Sequence, residues 1–157
     1  MEIERKFLFS PDQAPFLEQY PSVDIAQSYI SADPVIRLRK ITVRTRGNTE
    51  YVLTVKSAGL KIREEFEMAL DEKQYENLLP KIESNTIKKT RYSIPLTDGY
   101  TAEADIFHGH LTGLMTVEVE FANENEMTRF IPPAWFGRDV SDESEYQNVN
   151  LAMRNSG

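Results

Sequence analysis

Glu2-Ile3-Glu4-Arg5-Lys6 places a charged side chain at every second position. A β-strand has a side-chain period of two, so Glu2, Glu4 and Lys6 share one face and Ile3 lies on the other. Six later stretches repeat the arrangement: Arg37/Arg39, Thr54/Lys56, Glu65/Glu67, Lys89/Arg91, Glu103/Asp105 and Glu118/Glu120. The residues between are mostly apolar, among them Leu38, Val55, Phe66 and Val119. One face of each strand therefore meets something polar and specific, and the other packs. Because both signs of charge occur, a metal ion and phosphate are the partners the pattern suggests.

Working outward, eight strands are predicted over 2–9, 25–31, 35–46, 49–58, 61–70, 87–96, 100–107 and 114–122. Helices are expected in the gaps. Ser10-Pro11-Asp12-Gln13 has the form of a capping box with Pro at the first helical position. Asp71-Glu72-Lys73-Gln74 repeats it, with Leu78 and Leu79 expected on the buried side and Pro80 ending the helix. From Asn123 onward the chain reads as short helical pieces broken by Pro132-Pro133. No repeat of solenoid type is present.

Turn chemistry tests the shared face. A two-residue Gly47-Asn48 turn would set Arg39 opposite Lys56 and Ile41 opposite Thr54. Arg37, Arg39, Thr54 and Lys56 then share a face, and Arg44 and Arg46 fall on the other. Two cations directly opposite repel, which is tolerable with an anion between them. At Thr97-Asp98-Gly99, a three-residue loop with Gly99 left-handed sets Arg91 opposite Asp105 and Ser93 opposite Glu103. A two-residue turn would separate these charges onto opposite faces.

Composition bounds the rest. A chain of 157 residues is long enough for one domain with a core, spanning 1–157. A net charge of −7 argues against a nucleic-acid partner. No apolar run is long enough to span a bilayer. The charged N-terminus is unlike a signal peptide, and the absence of cysteine suits a reducing compartment, so a cytoplasmic location is expected. His108-Gly109-His110 makes a poor metal site, with two loop imidazoles and no others in the chain. Neither a phosphate-binding Gly-rich loop nor a His-Glu-x-x-His motif is present. Trp135-Phe136 reads as packing of the tail rather than as a base-stacking platform.

Alternating charge most often marks the wet side of an antiparallel sheet. Against that reading, the pairs occur on nearly every strand, and Glu-x-Glu is unfavourable on an ordinary exposed face. The alternative is an α+β protein built on a closed eight-stranded antiparallel β-barrel, with a charged interior and a few peripheral helices. Its interior would hold Lys6, Arg37, Arg39, Lys56, Arg63, Lys89 and Arg91 against Glu2, Glu4, Glu65, Glu67, Glu103, Asp105, Glu118 and Glu120. Carboxylates without His or Cys are hard-oxygen ligands that favour Mg²⁺ or Mn²⁺. Arg and Lys suit phosphate oxygens. A substrate with several phosphates and a divalent cation answers both sets.

Together these motifs resemble the CYTH domain, the triphosphate tunnel metalloenzyme family, whose opening signature is Glu-x-Glu-x-Lys. The order is similar throughout: Glu2-Ile3-Glu4-Arg5-Lys6, Arg37-Leu38-Arg39, Leu53-Thr54-Val55-Lys56, Arg63-Glu64-Glu65-Phe66-Glu67, Lys89-Thr90-Arg91-Tyr92, Glu103-Ala104-Asp105 and Glu118-Val119-Glu120. The tail, Asp139-Val140-Ser141-Asp142 with Tyr146, Asn148 and Asn150-Leu151, resembles the closing segment of short bacterial members. The resemblance implies an eight-stranded tunnel, Mg²⁺ or Mn²⁺, and a small-molecule triphosphate substrate. Inorganic triphosphatase, thiamine triphosphatase and adenylyl cyclase are activities of the family. It implies metal ligation by Glu2, Glu4, Glu118 and Glu120, with Asp105, Glu65 and Glu67 next in line. It implies a phosphate cradle of Lys6, Arg37, Arg39, Lys56, Lys89 and Arg91; Arg63 belongs with them as an interior cation. The stretch Thr42–Thr49 departs from the family pattern and bears on the tunnel mouth.

The expected reaction is metal-dependent hydrolysis of inorganic triphosphate to pyrophosphate and phosphate, with Lys6 or Lys56 as base if metal-bound water is not. A cyclase needs an adenine pocket, which no sequence feature marks. A non-enzymatic polyphosphate binder would keep the basic pairs but has no use for the glutamate pairs. Few helices are available to cover eight strands, so a homodimer over part of the outer apolar face is expected.

Overall fold

The computed structural model describes residues 1–154 and contains ten strands rather than eight. They are β1 (Glu2–Phe9), β2 (Ser22–Ala32), β3 (Val35–Val43), β4 (Thr49–Lys56), β5 (Ile62–Arg63), β6 (Glu65–Leu70), β7 (Ile87–Pro95), β8 (Thr101–His108), β9 (Met115–Glu120) and β10 (Phe136–Asp139). All pairings are antiparallel, in the order β10-β1-β9-β8-β7-β2-β3-β4-β6, with β5 on β1. The difference in count has two sources. The stretch read as one strand over 61–70 breaks at Glu64, whose N–H donates to Ser57 Oγ (2.9 Å) and whose carbonyl accepts from Ser57 N–H (3.0 Å). Before the break, Arg63 and Ile62 pair with Glu2 and Ile3 of β1; after it, β6 pairs with β4. One segment thus touches both sides of the sheet and nearly closes it into a barrel. The second source is β10, which lies in the tail where only helical pieces were expected and pairs with β1.

The three α-helices are short: α1 (Glu72–Leu78), α2 (Glu124–Arg129) and α3 (Asn148–Met153). Asp71 caps α1 in a full capping box, its Oδ1 accepting from Gln74 N–H (2.8 Å) while Gln74 Oε1 accepts from Asp71 N–H (2.9 Å). The buried residue of α1 is Tyr75, packed at a 39° tilt against Tyr51 of β4 with ring centroids 4.8 Å apart, and Leu78 and Leu79 are half-buried. Pro80 lies in the 3-10 turn Leu79–Lys81 that ends the helix. The helix expected at Ser10 does not form. Gln13 and Ala14 close a single turn onto the Ser10 carbonyl (both 3.2 Å), and Pro15 disfavours the helical conformation for Ala14 before it.

Two packed layers flank the barrel wall. On the outside, Ile3, Phe7, Phe9, Tyr92, Val117 and Val119 pack with Met127 of α2 and with Phe130 and Phe136. Trp135 joins them, edge-on to Phe9 at 5.5 Å, as the packing role expected of it requires. Inside, Tyr29, Val35, Ile87 and Phe107 meet Leu111 and Val149, Leu151 and Ala152 of α3. That second cluster is an apolar plug within the barrel. Among the described residues, no helix is long and apolar enough to cross a membrane.

Candidate active site

The hairpin of β3 and β4 brings Arg37, Arg39, Thr54 and Lys56 to one face, but in a different register from the expected one. Arg37 is opposite Thr54, Arg39 opposite Val52 and Val35 opposite Lys56. The connection is not a two-residue turn. Residues 44–46 add a turn of their own, and Gly47 closes it at φ +70° with its N–H on the Val43 carbonyl (2.8 Å). The shift is by an even number of residues, so the faces stay as expected while the register changes. It also removes the predicted clash, since no cation faces another directly. Arg37 Nη2 donates to Thr54 Oγ1 at 3.3 Å. Arg44 points away from the interior, onto Ser22 Oγ (3.1 Å) and Tyr92 Oη (3.2 Å).

The hairpin of β7 and β8 has the expected register, with Arg91 opposite Asp105 and Ser93 opposite Glu103. Gly99 adopts φ +89°, a conformation that costs a residue without Cβ little. Asp105 is fully buried and both its oxygens are occupied. Oδ1 accepts from Arg91 Nε (2.8 Å), and Oδ2 accepts from Arg91 Nη2 (2.9 Å) and lies 2.9 Å from Lys89 Nζ. Burial pushes the Lys89 ammonium down to about 8 despite the opposing charge of Asp105. Burial would raise the Asp105 carboxyl, but Arg91 and Lys89 outweigh it and hold it below the ordinary aspartate value.

Strands β1 and β9 carry the glutamates. Glu4 is opposite Glu120 and Lys6 opposite Glu118. Lys6 Nζ donates to the Tyr146 carbonyl (2.8 Å) and lies 3.4 Å from Glu118 Oε1. Glu2 accepts from Lys56 Nζ (2.9 and 3.0 Å) and from Arg63 Nη2 (3.2 Å). Glu65 lies 3.4 Å from Lys56 Nζ, and Glu67, more open to solvent, lies 3.4 Å from Arg39 Nη2. Seven cations thus converge on the interior of an acidic chain, and the side chains of Lys6, Arg39, Lys56, Arg63, Lys89 and Arg91 are at most 13% exposed. Burial and the charges of Arg37 and Arg91 bring Arg39 down to about 10.

The carboxylates provide a test of whether a divalent cation fits. Burial, then the charges of Glu118 and Glu2, lift the Glu4 carboxyl well above the ordinary range. Burial acts the same way on Glu118, but Lys6, Arg91 and Lys89 overcome it and hold Glu118 well below that range. Glu118 Oε1 is buried and has no hydrogen-bond partner among the described residues. Glu120 is raised by burial and by the charges of Glu2, Glu65 and Glu103. Two neighbouring carboxylates, one tending to hold a proton and the other with an oxygen that has Lys6 at 3.4 Å but no hydrogen bond, are a fit for a hard cation. Among the described residues no three acids or imidazoles converge as a ready cluster.

Two interior residues were not anticipated. Gln27 and Tyr29 of β2 face Arg39 and Arg37 across the ladder, and both are buried. Burial raises the Tyr29 hydroxyl. They form a period-two pair like the others, but being neutral they do not stand out in a search for charge. The tail also reaches the site. Tyr146 serves Lys6, Ser141 Oγ accepts from Lys6 N–H (2.9 Å), and Gln147 Nε2 donates to the Gly59 carbonyl (2.8 Å). His108 lies outside the barrel wall, its Nε2 2.9 Å from Thr90 Oγ1.

A family model of the CYTH domain matches residues 1–132. The chain is 43% identical over 155 residues to an inorganic triphosphatase of Nitrosomonas europaea, covering 97% of each. It is 34% identical over 152 residues to an inorganic triphosphatase of Acetivibrio thermocellus, covering 96% of this chain and 92% of that one. The crystal structure of an inorganic triphosphatase superposes with a TM-score of 0.71 at 41% identity, covering 100% of this chain and 97% of the other.

Proposed function

The chain belongs to the CYTH domain family, and from that premise we propose that it hydrolyses inorganic triphosphate to pyrophosphate and phosphate inside its barrel, acting as one unit over 1–157. The observation that carries the reading is the basic cradle of buried Lys6, Arg37, Lys56 and Lys89 with the largely covered Arg39, Arg63 and Arg91, beside the Glu4–Glu118 carboxylate pair. The relatives named as inorganic triphosphatases support it.

In this reading Arg37, Arg39, Lys56, Lys89 and Arg91 bind and align the phosphate chain, neutralising its oxygens before reaction. The oxygen of a water forms the new bond to phosphorus, the bridging P–O bond breaks, and pyrophosphate leaves with the electron pair. Lys6 or Lys56 would take the proton from that water, and either can do so only as the neutral amine, released from its ion pair with Glu118 or with Glu2 and Glu65. Glu4 and Glu118, joined by Glu120 and by Glu2 once its salt bridges open, would hold Mg²⁺ or Mn²⁺. Such an ion supplies neutralisation of the charge that develops on the phosphate oxygens. Asp105, with both oxygens engaged, is assigned to anchoring Lys89 and Arg91. Glu65 and Glu67 are likewise assigned to orienting Lys56 and Arg39.

The test is phosphate release from inorganic triphosphate, ATP and thiamine triphosphate, with Mg²⁺ and with Mn²⁺, using Glu4→Gln as the blank. Release is expected from inorganic triphosphate with either ion and not from the variant. Full activity in Glu4→Gln would remove Glu4 from the metal site. Cyclic AMP and pyrophosphate from ATP, without phosphate from triphosphate, would overturn the hydrolase reading.

A further inference from the structure

Gln27 sits where the charged wall of the barrel meets its apolar plug. Its side chain is fully buried, and its register partners are Arg39 on β3 and Ile87 on β7. Two residues further along β2 is Tyr29, which packs with Ile87, Phe107 and α3 in the plug. Gln27 Nε2 donates to Tyr29 Oη at 2.7 Å, which leaves Gln27 Oε1 buried and without a partner among the described residues. Arg37 Nε and Arg39 Nε, on the adjacent strand, are also buried without an acceptor.

A buried polar atom without a hydrogen bond is costly, and native structures contain few. Here one unserved acceptor lies beside two unserved donors, and they do not serve one another. An anion would satisfy the two Nε–H groups. It would also satisfy Gln27, because an amide can present either edge. Turned by half a rotation, Oε1 accepts from the Tyr29 hydroxyl and the two N–H groups of Nε2 face the cradle.

We infer that Gln27 is a direct ligand of the substrate, its amide turning over to donate to a phosphoryl group held between it, Arg37 and Arg39. This rests on the triphosphate reading above. It adds a constraint on the substrate class. Beneath Gln27 the plug is closed: Tyr29, Ile87, Phe107, Leu151 and Ala152 are each at most 2% exposed. The phosphoryl group bound there is therefore terminal and unsubstituted, and any substituent on the chain extends from its other end.

A residue that only braced Tyr29 would act on stability and leave substrate binding alone, which separates the two roles. Triphosphate binding is measured by calorimetry in EDTA, so that turnover does not contribute, on the wild-type chain, Gln27→Met and Gln27→Glu. Loss of a hydrogen bond to a charged group predicts binding about ten- to a hundredfold weaker in Gln27→Met. Gln27→Glu, whose carboxylate would face the phosphate, is expected to weaken it further. In wild-type protein, the Gln27 side-chain amide resonances should shift on addition of triphosphate. Should Gln27→Met fail to fold, Gln27→Glu, whose carboxylate can accept from the Tyr29 hydroxyl where Gln27 donates to it, and the wild-type resonances decide. Affinity unchanged in the folded variants, or amide resonances that do not move, would overturn the assignment. Binding by the wild-type chain without phosphate release under metal would sink the hydrolase reading alone. Phosphate release with unaltered affinity in the variants would sink the role of Gln27 alone, and a wild-type chain that neither binds triphosphate nor releases phosphate from it under metal would end both.

Discussion

Asp105→Asn keeps the volume of the side chain and removes its charge. In the wild-type chain this carboxylate is fully buried and takes two hydrogen bonds from Arg91, at 2.8 and 2.9 Å, with Lys89 Nζ 2.9 Å away. After the change, Lys89 loses its ion-pair partner, and Arg91 keeps Glu103 (3.2 Å) and, more distantly, Glu118 (3.9 Å). Breaking a buried pair from one side costs about 3–5 kcal/mol, because an uncompensated charge stays behind. In a chain of this size each kcal/mol moves Tm by about 2–4 °C, so the expected fall is about 6–20 °C. The pH dependence carries a sign. Lys89 has a folded-state pKa of about 8, below its unfolded value. The unfolded chain therefore binds more protons between those two values, and stability rises with pH through that window. Without Asp105 the Lys89 pKa falls further, so the variant begins this gain at lower pH and its deficit narrows as pH approaches about 8. On the acid side, Asp105 has a lowered folded pKa. Its stabilisation is present above the unfolded value and is lost as pH falls through the folded one. The assay is thermal unfolding by circular dichroism from pH 4 to pH 9. A Tm within about 2 °C of wild type at pH 6 would refute the reasoning, as would a deficit that widens between pH 6 and pH 8.

Arg39→Ala removes a cation whose Nε is buried without an acceptor. Apparent affinity for triphosphate should fall about tenfold or more with a smaller change in kcat, and an unchanged KM would take Arg39 out of the cradle. Asp71→Ala deletes the cap of α1 and should lower stability by about 0.5–2 kcal/mol. Equilibrium denaturation measures this, and a neutral result would mean that packing of Tyr75 alone holds the helix. Phe66 is 60% exposed and Met68 42% exposed on the outer face of β6. If a homodimer covers that face, sedimentation at micromolar concentration should give a dimer for the wild type and a monomer for Phe66→Lys, whereas a monomeric wild type disposes of the idea.

The parts of this fold that were legible in the sequence depend on parity, and the parts that were not depend on distance along the chain. Assigning Arg37, Arg39, Thr54 and Lys56 to one face needs only the two-residue period, so it survives an even-numbered error in register. The register itself needs the turn, and Gly47-Asn48 looks like a two-residue turn although Arg44-Thr45-Arg46 contribute a further one. At Gly99 the reading succeeded because the three-residue loop was the only one of the two considered that put Arg91 with Asp105. The charge signal also has a blind spot. Gln27 and Tyr29 repeat the same period on the same interior face, but neutral side chains leave no mark in a search for acids and bases. Closure had no local signature. It rests on Glu64 breaking a strand so that one segment pairs with β1 and then with β4, and on α3 packing against Tyr29, Ile87 and Phe107, which lie more than forty residues before it. An alternating charged face is common to a wet sheet and to a lined tunnel. What separates them here is the burial of Lys89 and Lys56 against Asp105 and Glu2. Buried cations without such partners would cost several kcal/mol each, so the carboxylates that keep the tunnel stable also keep these two lysines in place.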